Sequence, residues 1–83
     1  MYKILIVEDD LPMAQAIQKE MTMWGNEAQC VQDFQNVLAS FTEYDPHLVL
    51  MDITLPFYNG YHWCSEIRRI SNVPVVFYLV GFG

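Results

Sequence analysis

Residues 4–10 read ILIVEDD, so that four consecutive aliphatic side chains run directly into three acidic ones. A short apolar run without alternation is typical of a strand that is buried on both faces of a sheet. Residues 48–52, LVLMD, repeat this design, because a second aliphatic run again ends at an acid. The sequence therefore predicts two buried strands, residues 4–7 and 48–51, each followed by carboxylates.

Apolar residues at helical spacing lie between and after these runs. From residue 11 to residue 24 they recur at spacings of one, three, four and three, with Asp10 as a candidate N-cap and Gly25 as a candidate helix end. A second helical pattern follows Asp33, which we expect to cap it. A third helical pattern covers residues 61–70.

Two further strands complete the predicted fold. Residues 27–31 form a short, weak run, and residues 75–80, VVFYLV, form a longer one near the end of the chain. The predicted order is β-α-β-α-β-α-β, which implies right-handed crossovers and a mostly parallel sheet with helices on both faces. Ligands of such α/β sheets bind beyond the carboxyl ends of the strands. We therefore expect the function at the edge where the acids lie.

Composition limits the classes of protein to which the chain can belong. Its 83 residues are 53% hydrophobic and carry a formal charge of −6, from ten acids against four bases. This composition excludes disorder and disfavours direct contact with nucleic acid, and no apolar run reaches the roughly 20 residues of a membrane span. No secretory signal is visible, so we expect a cytoplasmic protein in which Cys30 and Cys64 are reduced thiols rather than zinc ligands.

Three carboxylates, those of Glu8, Asp9 and Asp52, follow the two buried strands. On neighbouring strands they would lie within several ångströms of one another and repel unless a cation binds between them. Oxygen ligands without imidazole or thiolate partners favour a hard cation, Mg²⁺ before Ca²⁺. A carboxylate beside Mg²⁺ can attack phosphorus, because the metal neutralises charge on the phosphoryl oxygens. Asp10 is assigned to helix capping instead.

Two residues of the loop after Asp52 have predicted structural roles. Pro56 restricts the backbone because its ring fixes φ. Gly60 follows Asn59 and allows a tight entry into the third helix. We therefore expect both residues to shape the loop rather than to take part in chemistry.

These motifs together resemble the receiver domain of bacterial two-component response regulators. The resemblance rests on ILIVEDD at residues 4–10, LVLMDITLP with a downstream Asn-Gly at residues 48–60, and VPVVF at residues 73–77. It covers residues 2–78 and implies an α/β, flavodoxin-like (CheY-like) doubly wound parallel sheet. Residues 55–68 look more narrowly like Gram-positive regulators of envelope or antibiotic stress, which carry a winged-helix output domain.

The resemblance implies a role for each matching residue. Asp52 would accept phosphate from a sensor histidine kinase. The implied ligands of Mg²⁺ are Glu8, Asp9, Asp52 and the backbone carbonyl of Thr54. Such a receiver is a phosphoacceptor module that controls a transcriptional output domain, and it is not an enzyme beyond weak autophosphotransfer.

Other positions depart from the family. By register, Leu79 stands where the family places a Ser or Thr that hydrogen-bonds the phosphoryl group, and an alkyl side chain cannot donate that bond. No Lys follows Lys19, so the family's Lys at the end of the fifth strand has no counterpart in these 83 residues. We expect residues 1–83 to form a single incomplete receiver without an output domain, truncated before the fifth strand, with residues 79–83 as an atypical tail.

Two interpretations of the function stay open. The chain is either a phosphoacceptor of a phosphorelay or a phosphotransfer-incompetent fragment that acts only as a self-associating interaction module. The second follows from the apolar segment 74–80, which would form an unprotected sheet edge and pair with another chain. A phosphohydrolase with an aspartate nucleophile would need a second Asp where Thr54 stands. A flavin site would need a Ser/Thr/Gly-rich loop in place of the acids at residues 8–10.

Overall fold

A computed structural model describes residues 1–78, in which four strands form one sheet and three helices pack on it. The elements are, in chain order, β1 Lys3–Val7, α1 Leu11–Met23, β2 Glu27–Cys30, α2 Val37–Tyr44, β3 Leu48–Met51, α3 Gly60–Arg68 and β4 Val75–Phe77. The predicted α/β order is confirmed. Within the described part of the chain, no helix has both the length and the apolar character needed to cross a bilayer.

The strand order across the sheet is β2-β1-β3-β4, and all neighbouring strands are parallel. The order reverses between β1 and β3, which makes the two acid-terminated strands neighbours. Val7 pairs with Met51, and Met51 pairs with Phe77. The residues that directly follow these three strands therefore lie side by side at the carboxyl edge of the sheet.

Hydrophobic clusters lie on both faces of the sheet. Under α2 and α3 the buried members are Leu5, Val7, Val31, Val37, Phe41, Tyr44, Val49, Met51, Trp63 and Ile67. Under α1 the buried cluster is smaller and consists of Ile4, Ile6 and Ala14. Alternate residues of β1 belong to the two clusters, because successive side chains of a strand point to opposite faces. This is why the aliphatic run of β1 shows no polar alternation.

The ends of α1 follow the sequence prediction. The Oδ1 atom of Asp10 accepts a hydrogen bond from the N–H of Met13 at 3.2 Å, which satisfies one of the free amides of the first turn. Gly25 lies just beyond the helix with φ of +87°, a left-handed conformation that glycine adopts without strain. Both predicted boundary signals are confirmed.

The prediction that Asp33 caps the second helix is wrong. The N-cap of α2 is Asn36, whose Oδ1 atom accepts from the N–H of Ala39 at 3.3 Å. Asp33 instead accepts from the N–H of Gln35 at 3.0 Å and so forms a local turn ahead of the helix. Asp and Asn side chains serve equally in both roles, because each bonds backbone amides two or three residues further on.

The last strand is shorter than the apolar run that predicted it. β4 ends at Phe77, and Tyr78 follows it outside the strand. Leu79 and Val80, which the prediction included in the strand, lie outside the described residues. The part of β4 that the structure describes pairs with β3.

Candidate metal centre

The carboxylates of Glu8, Asp9 and Asp52 converge at the carboxyl edge of the sheet, as predicted. One oxygen from each lies within 4.8 Å of the others. Glu8 is buried, with 4% of its surface exposed, while Asp52 is half-buried and Asp9 is exposed. The cluster therefore has a closed side at Glu8 and an open side at Asp9, from which a cation can enter.

The donor set of this cluster fits a hard divalent cation. All three residues offer carboxylate oxygens, and within residues 1–78 no other group of three acids, histidines or cysteines converges in this way. Mg²⁺ prefers oxygen ligands and keeps several of its waters, so it needs only one or two direct protein carboxylates. The cluster could therefore hold Mg²⁺ with Asp9 and Asp52 toward the solvent.

Glu8 is the buried acid of the cluster, and both of its carboxylate oxygens accept hydrogen bonds. Oε2 accepts from the backbone N–H of Asp10 at 3.0 Å, and Oε1 accepts from the hydroxyl of Tyr78 at 2.6 Å. Burying a carboxylate is costly unless it is paired or hydrogen-bonded. These two bonds offset that cost and fix the carboxylate in the pocket.

Tyr78 is a member of the site that the sequence pattern did not indicate, because it was counted in the apolar run 75–80. Burial, together with the hydrogen bond to Glu8 and the nearby charges of Glu8, Asp52 and Asp9, raises the pKa of Tyr78 well above its usual value. The phenol therefore stays protonated and acts as a donor. A signal was available, since Tyr78 carries the one polar group of that run and a buried phenol needs a partner.

The backbone after β3 orients the Asp52 side chain. The N–H of Thr54 donates a long hydrogen bond to Oδ1 of Asp52, at 3.4 Å. The side chain of Thr54 is exposed. The assignment of its carbonyl as a metal ligand stays a prediction.

Gly60 is required by the close approach of α3 to the end of β3. A β-carbon at this position would overlap the carbonyl oxygen of Asp52 and would lie 2.9 Å from Cγ of Met51. The N–H of Gly60 also donates to the carbonyl of Ile53 at 2.8 Å, which closes the loop between them. A larger residue would push α3 away from the backbone that carries Asp52.

Pro56 lies in a tight turn at the tip of the same loop. Its carbonyl accepts from the N–H of Tyr58 at 2.8 Å, so the turn spans three residues. The central residue, Phe57, has φ of +69° and is exposed over 67% of its surface. A three-residue turn with positive φ at its centre is strained. Pro56 is thus the first residue of a tight turn, which is consistent with its predicted role in shaping the loop.

Comparison with known proteins identifies the family to which this arrangement belongs. The sequence profile described as "Response regulator receiver domain" matches residues 4–80. The chain belongs to the response regulator receiver domain family. Over 75 residues this receiver is 39% identical to the response regulator protein GraR of Staphylococcus aureus. The matched segment covers 90% of this chain and 34% of GraR. The receiver thus spans about a third of the length of the curated relatives it matches.

Solved receivers share the fold. The N-terminal domain of the nisin resistance regulator NsrR, described as a lantibiotic response regulator, is 35% identical with a TM-score of 0.83, over 90% of this chain and 63% of that one. The response regulator TrrA of Thermotoga maritima, solved in complex with the histidine kinase ThkA, is 24% identical with a TM-score of 0.84, over 93% of this chain and 67% of that one. The second likeness concerns the fold alone. The resemblance to receivers of two-component systems is confirmed.

The receiver family accounts for the acidic edge of the sheet. Receiver domains bind Mg²⁺ at an acidic pocket, and Glu8, Asp9 and Asp52 form a pocket that could hold the ion. Receivers are signalling modules rather than enzymes in the usual sense. Leu79, which the sequence predicts to stand at the family's Ser or Thr position, lies outside the described residues.

Proposed function

We propose that this chain is the phosphoacceptor module of a two-component phosphorelay. Asp52 takes a phosphoryl group from a sensor histidine kinase, and Glu8, Asp9, Asp52 and the carbonyl of Thr54 hold Mg²⁺. In the full-length protein the phosphorylated module would control a transcriptional output domain. The proposal rests on one observation above all, the convergence of three carboxylates within 4.8 Å at the switch point of the sheet.

The transfer needs a nucleophile held beside a cation. A carboxylate oxygen of Asp52 attacks phosphorus, the bond from phosphorus to the histidine nitrogen breaks, and an aspartyl phosphate forms. Bound Mg²⁺ neutralises charge on the phosphoryl oxygens during transfer. Glu8 and Asp9 hold their carboxylates beside the nucleophile, and the N–H of Thr54 orients Oδ1 of Asp52.

We expect the transfer in the 83-residue chain to be slow. Leu79 cannot donate the hydrogen bond that a Ser or Thr would give to the phosphoryl group. Preorganised donors of this kind stabilise the transition state, and loss of one costs about 10²–10³ in rate in well-studied enzymes. The single substitution Leu79→Ser should therefore speed phosphorylation.

Intact-mass measurement after incubation with acetyl phosphate and Mg²⁺ tests the proposal. The wild-type chain and Asp33→Asn should gain the mass of one phosphoryl group, and Asp52→Asn should gain none. Asp33 is a matched control, because it is an exposed acid in a local turn and does not belong to the cluster of three carboxylates. A phosphoryl adduct on Asp52→Asn, or none on Leu79→Ser with Mg²⁺ present, would contradict the assignment.

A second candidate function is self-association through the segment 74–80, of which residues 79 and 80 lie outside the described part of the chain. The observation that favours it is the edge position of β4 in the described sheet, where Val76 is 44% exposed. Apolar edge strands without charge pair readily with other chains. Light scattering across a dilution series should give a mass above that of the monomer, and Val76→Lys should lower it. A monomer at every concentration would rule this candidate out.

A further inference from the structure

The side chain of Tyr78 crosses the pocket from one strand to another. Tyr78 follows β4, whereas its hydrogen-bond partner Glu8 follows β1, and β3 lies between these two strands. Neighbouring strands are about 4.8 Å apart, so the Tyr78 and Glu8 side chains together bridge two strand spacings. Asp52 follows β3 at the same level, because Met51 pairs with both Val7 and Phe77. The bridge that Tyr78 and Glu8 form therefore crosses the end of β3, the strand that Asp52 follows.

The hydroxyl of Tyr78 donates to the one buried acid of the carboxylate cluster. Glu8 is the buried member of three mutually repelling carboxylates. An O–H donor to a carboxylate at 2.6 Å belongs to the short, charge-assisted class of hydrogen bonds, which are roughly twice as strong as neutral ones. The bond stabilises the charge of Glu8 in the absence of a cation. A cation between the carboxylates would stabilise the same charge.

We propose that the Tyr78 hydroxyl serves as a partial substitute for the cation at Glu8 and thereby lowers the affinity of the pocket for Mg²⁺. The hydroxyl occupies one of the acceptor positions of Oε1, and an ion or an ion-bound water that approaches this oxygen must displace or weaken the bond. Tyr78 thus sets the Mg²⁺ concentration at which the pocket fills. This inference rests on the proposed function, since it concerns the same metal site.

Mg²⁺ titration of Tyr78→Phe tests the inference. Without Mg²⁺ this variant should unfold at a lower temperature than the wild type, because Glu8 has lost a donor. Calorimetric titration with MgCl₂ should then show binding about 3–10-fold tighter than in the wild type, which is less than the full value of a hydrogen bond to a charged group because the ion need only weaken that bond. Tyr61→Phe is the matched control, because Tyr61 is exposed over 59% of its surface and its ring lies at a tilt against that of Phe77, with 5.1 Å between the ring centroids. Its affinity for Mg²⁺ should equal that of the wild type.

A second measurement does not depend on the folding of Tyr78→Phe. Saturating Mg²⁺ should perturb the near-ultraviolet absorption of tyrosine in the wild-type chain, because the hydrogen bond of one phenol changes. This perturbation should persist in Tyr61→Phe. A tyrosine spectrum that Mg²⁺ leaves unchanged would overturn the inference even if Tyr78→Phe fails to fold.

The results separate this inference from the proposed function. Equal or weaker Mg²⁺ binding by folded Tyr78→Phe would overturn the inference alone, since the metal site would still exist. Weaker binding would mean that the phenol holds Glu8 in place for the ion. No binding of Mg²⁺ by either folded protein would overturn both the metal site and the inference.

Discussion

The α2/α3 face of the sheet buries apolar side chains, whereas its carboxyl edge, one residue further along the same strands, gathers like charges. Val7 and Met51 have no exposed surface, yet the next residues on β1 and β3 are Glu8 and Asp52. On the face, each side chain adds favourable burial of apolar surface. At the edge, each acid adds repulsion that only a ligand or a hydrogen-bond donor relieves.

This difference means that substitutions in the two regions should have opposite signs. Removing an apolar side chain from the face should lower the free energy of unfolding, and neutralising one of the clustered acids at the edge should raise it when no Mg²⁺ is present. Functional sites commonly reduce stability in this way, and the rest of the fold compensates. The face under α2 and α3 holds the larger hydrophobic cluster, so its burial of apolar surface can compensate for the repulsion at the edge.

The largest expected effect is on the face. Leu5→Ala should lower the free energy of unfolding by about 2–5 kcal/mol, because Leu5 is fully buried and its truncation leaves a cavity. Leu50→Ala is the matched control on the α1 side, where Leu50 is only half-buried, and should cost about 1–2 kcal/mol. Urea unfolding followed by circular dichroism measures both. Equal losses would show that the α1 side is packed as tightly as the α2/α3 face.

A smaller effect of opposite sign is expected at the edge. Asp52→Asn should raise the free energy of unfolding by about 1–2 kcal/mol in Mg²⁺-free buffer of low ionic strength, because it removes one of three clustered charges. Asp33→Asn, at an exposed acid that is not one of the three clustered carboxylates, should change it by less than about 0.5 kcal/mol. Addition of Mg²⁺ should reduce the advantage of Asp52→Asn, since an ion bound at the proposed site would stabilise the folded wild-type chain. A destabilised Asp52→Asn would instead make Asp52 a structural acid.

The two regions also differ in how far the sequence predicts them. The aliphatic runs of β1 and β3 determine both the face and the place of Glu8, Asp9 and Asp52, because parallel strands bring their carboxyl ends to one edge. The pattern could not choose between Asp33 and Asn36 as the N-cap of α2, since both are good caps in a polar segment.

Tyr78 was missed for a different reason. Its partner Glu8 is 70 residues away in the chain, and no local pattern encodes such a contact. Only the register across three strands brings a residue after β4 to the end of β1. Long-range polar contacts of this kind depend on strand order, which the periodicity of the sequence does not specify. The part of the site that sequence reasoning missed is therefore the part made by tertiary structure.

The smallest expected effect concerns backbone strain, which adds to charge at the edge. Phe57→Gly should raise the free energy of unfolding by about 0.5–1 kcal/mol, because glycine adopts the left-handed φ of +69° without the steric cost that a side chain incurs. Little packing is lost, since Phe57 is mostly exposed. Phe57→Ala is the control, because it removes the ring but keeps the strain, and it should change stability by less than about 0.5 kcal/mol. Thermal unfolding distinguishes the two.

If alanine stabilises as much as glycine, the exposed ring rather than the backbone is unfavourable, and strain at the edge is excluded. If only glycine stabilises the chain, the loop that orients Asp52 stores backbone strain beside the repelling carboxylates. Phe57→Gly then relieves the strain, as Asp52→Asn relieves the repulsion, and neither substitution removes packing from the α2/α3 face.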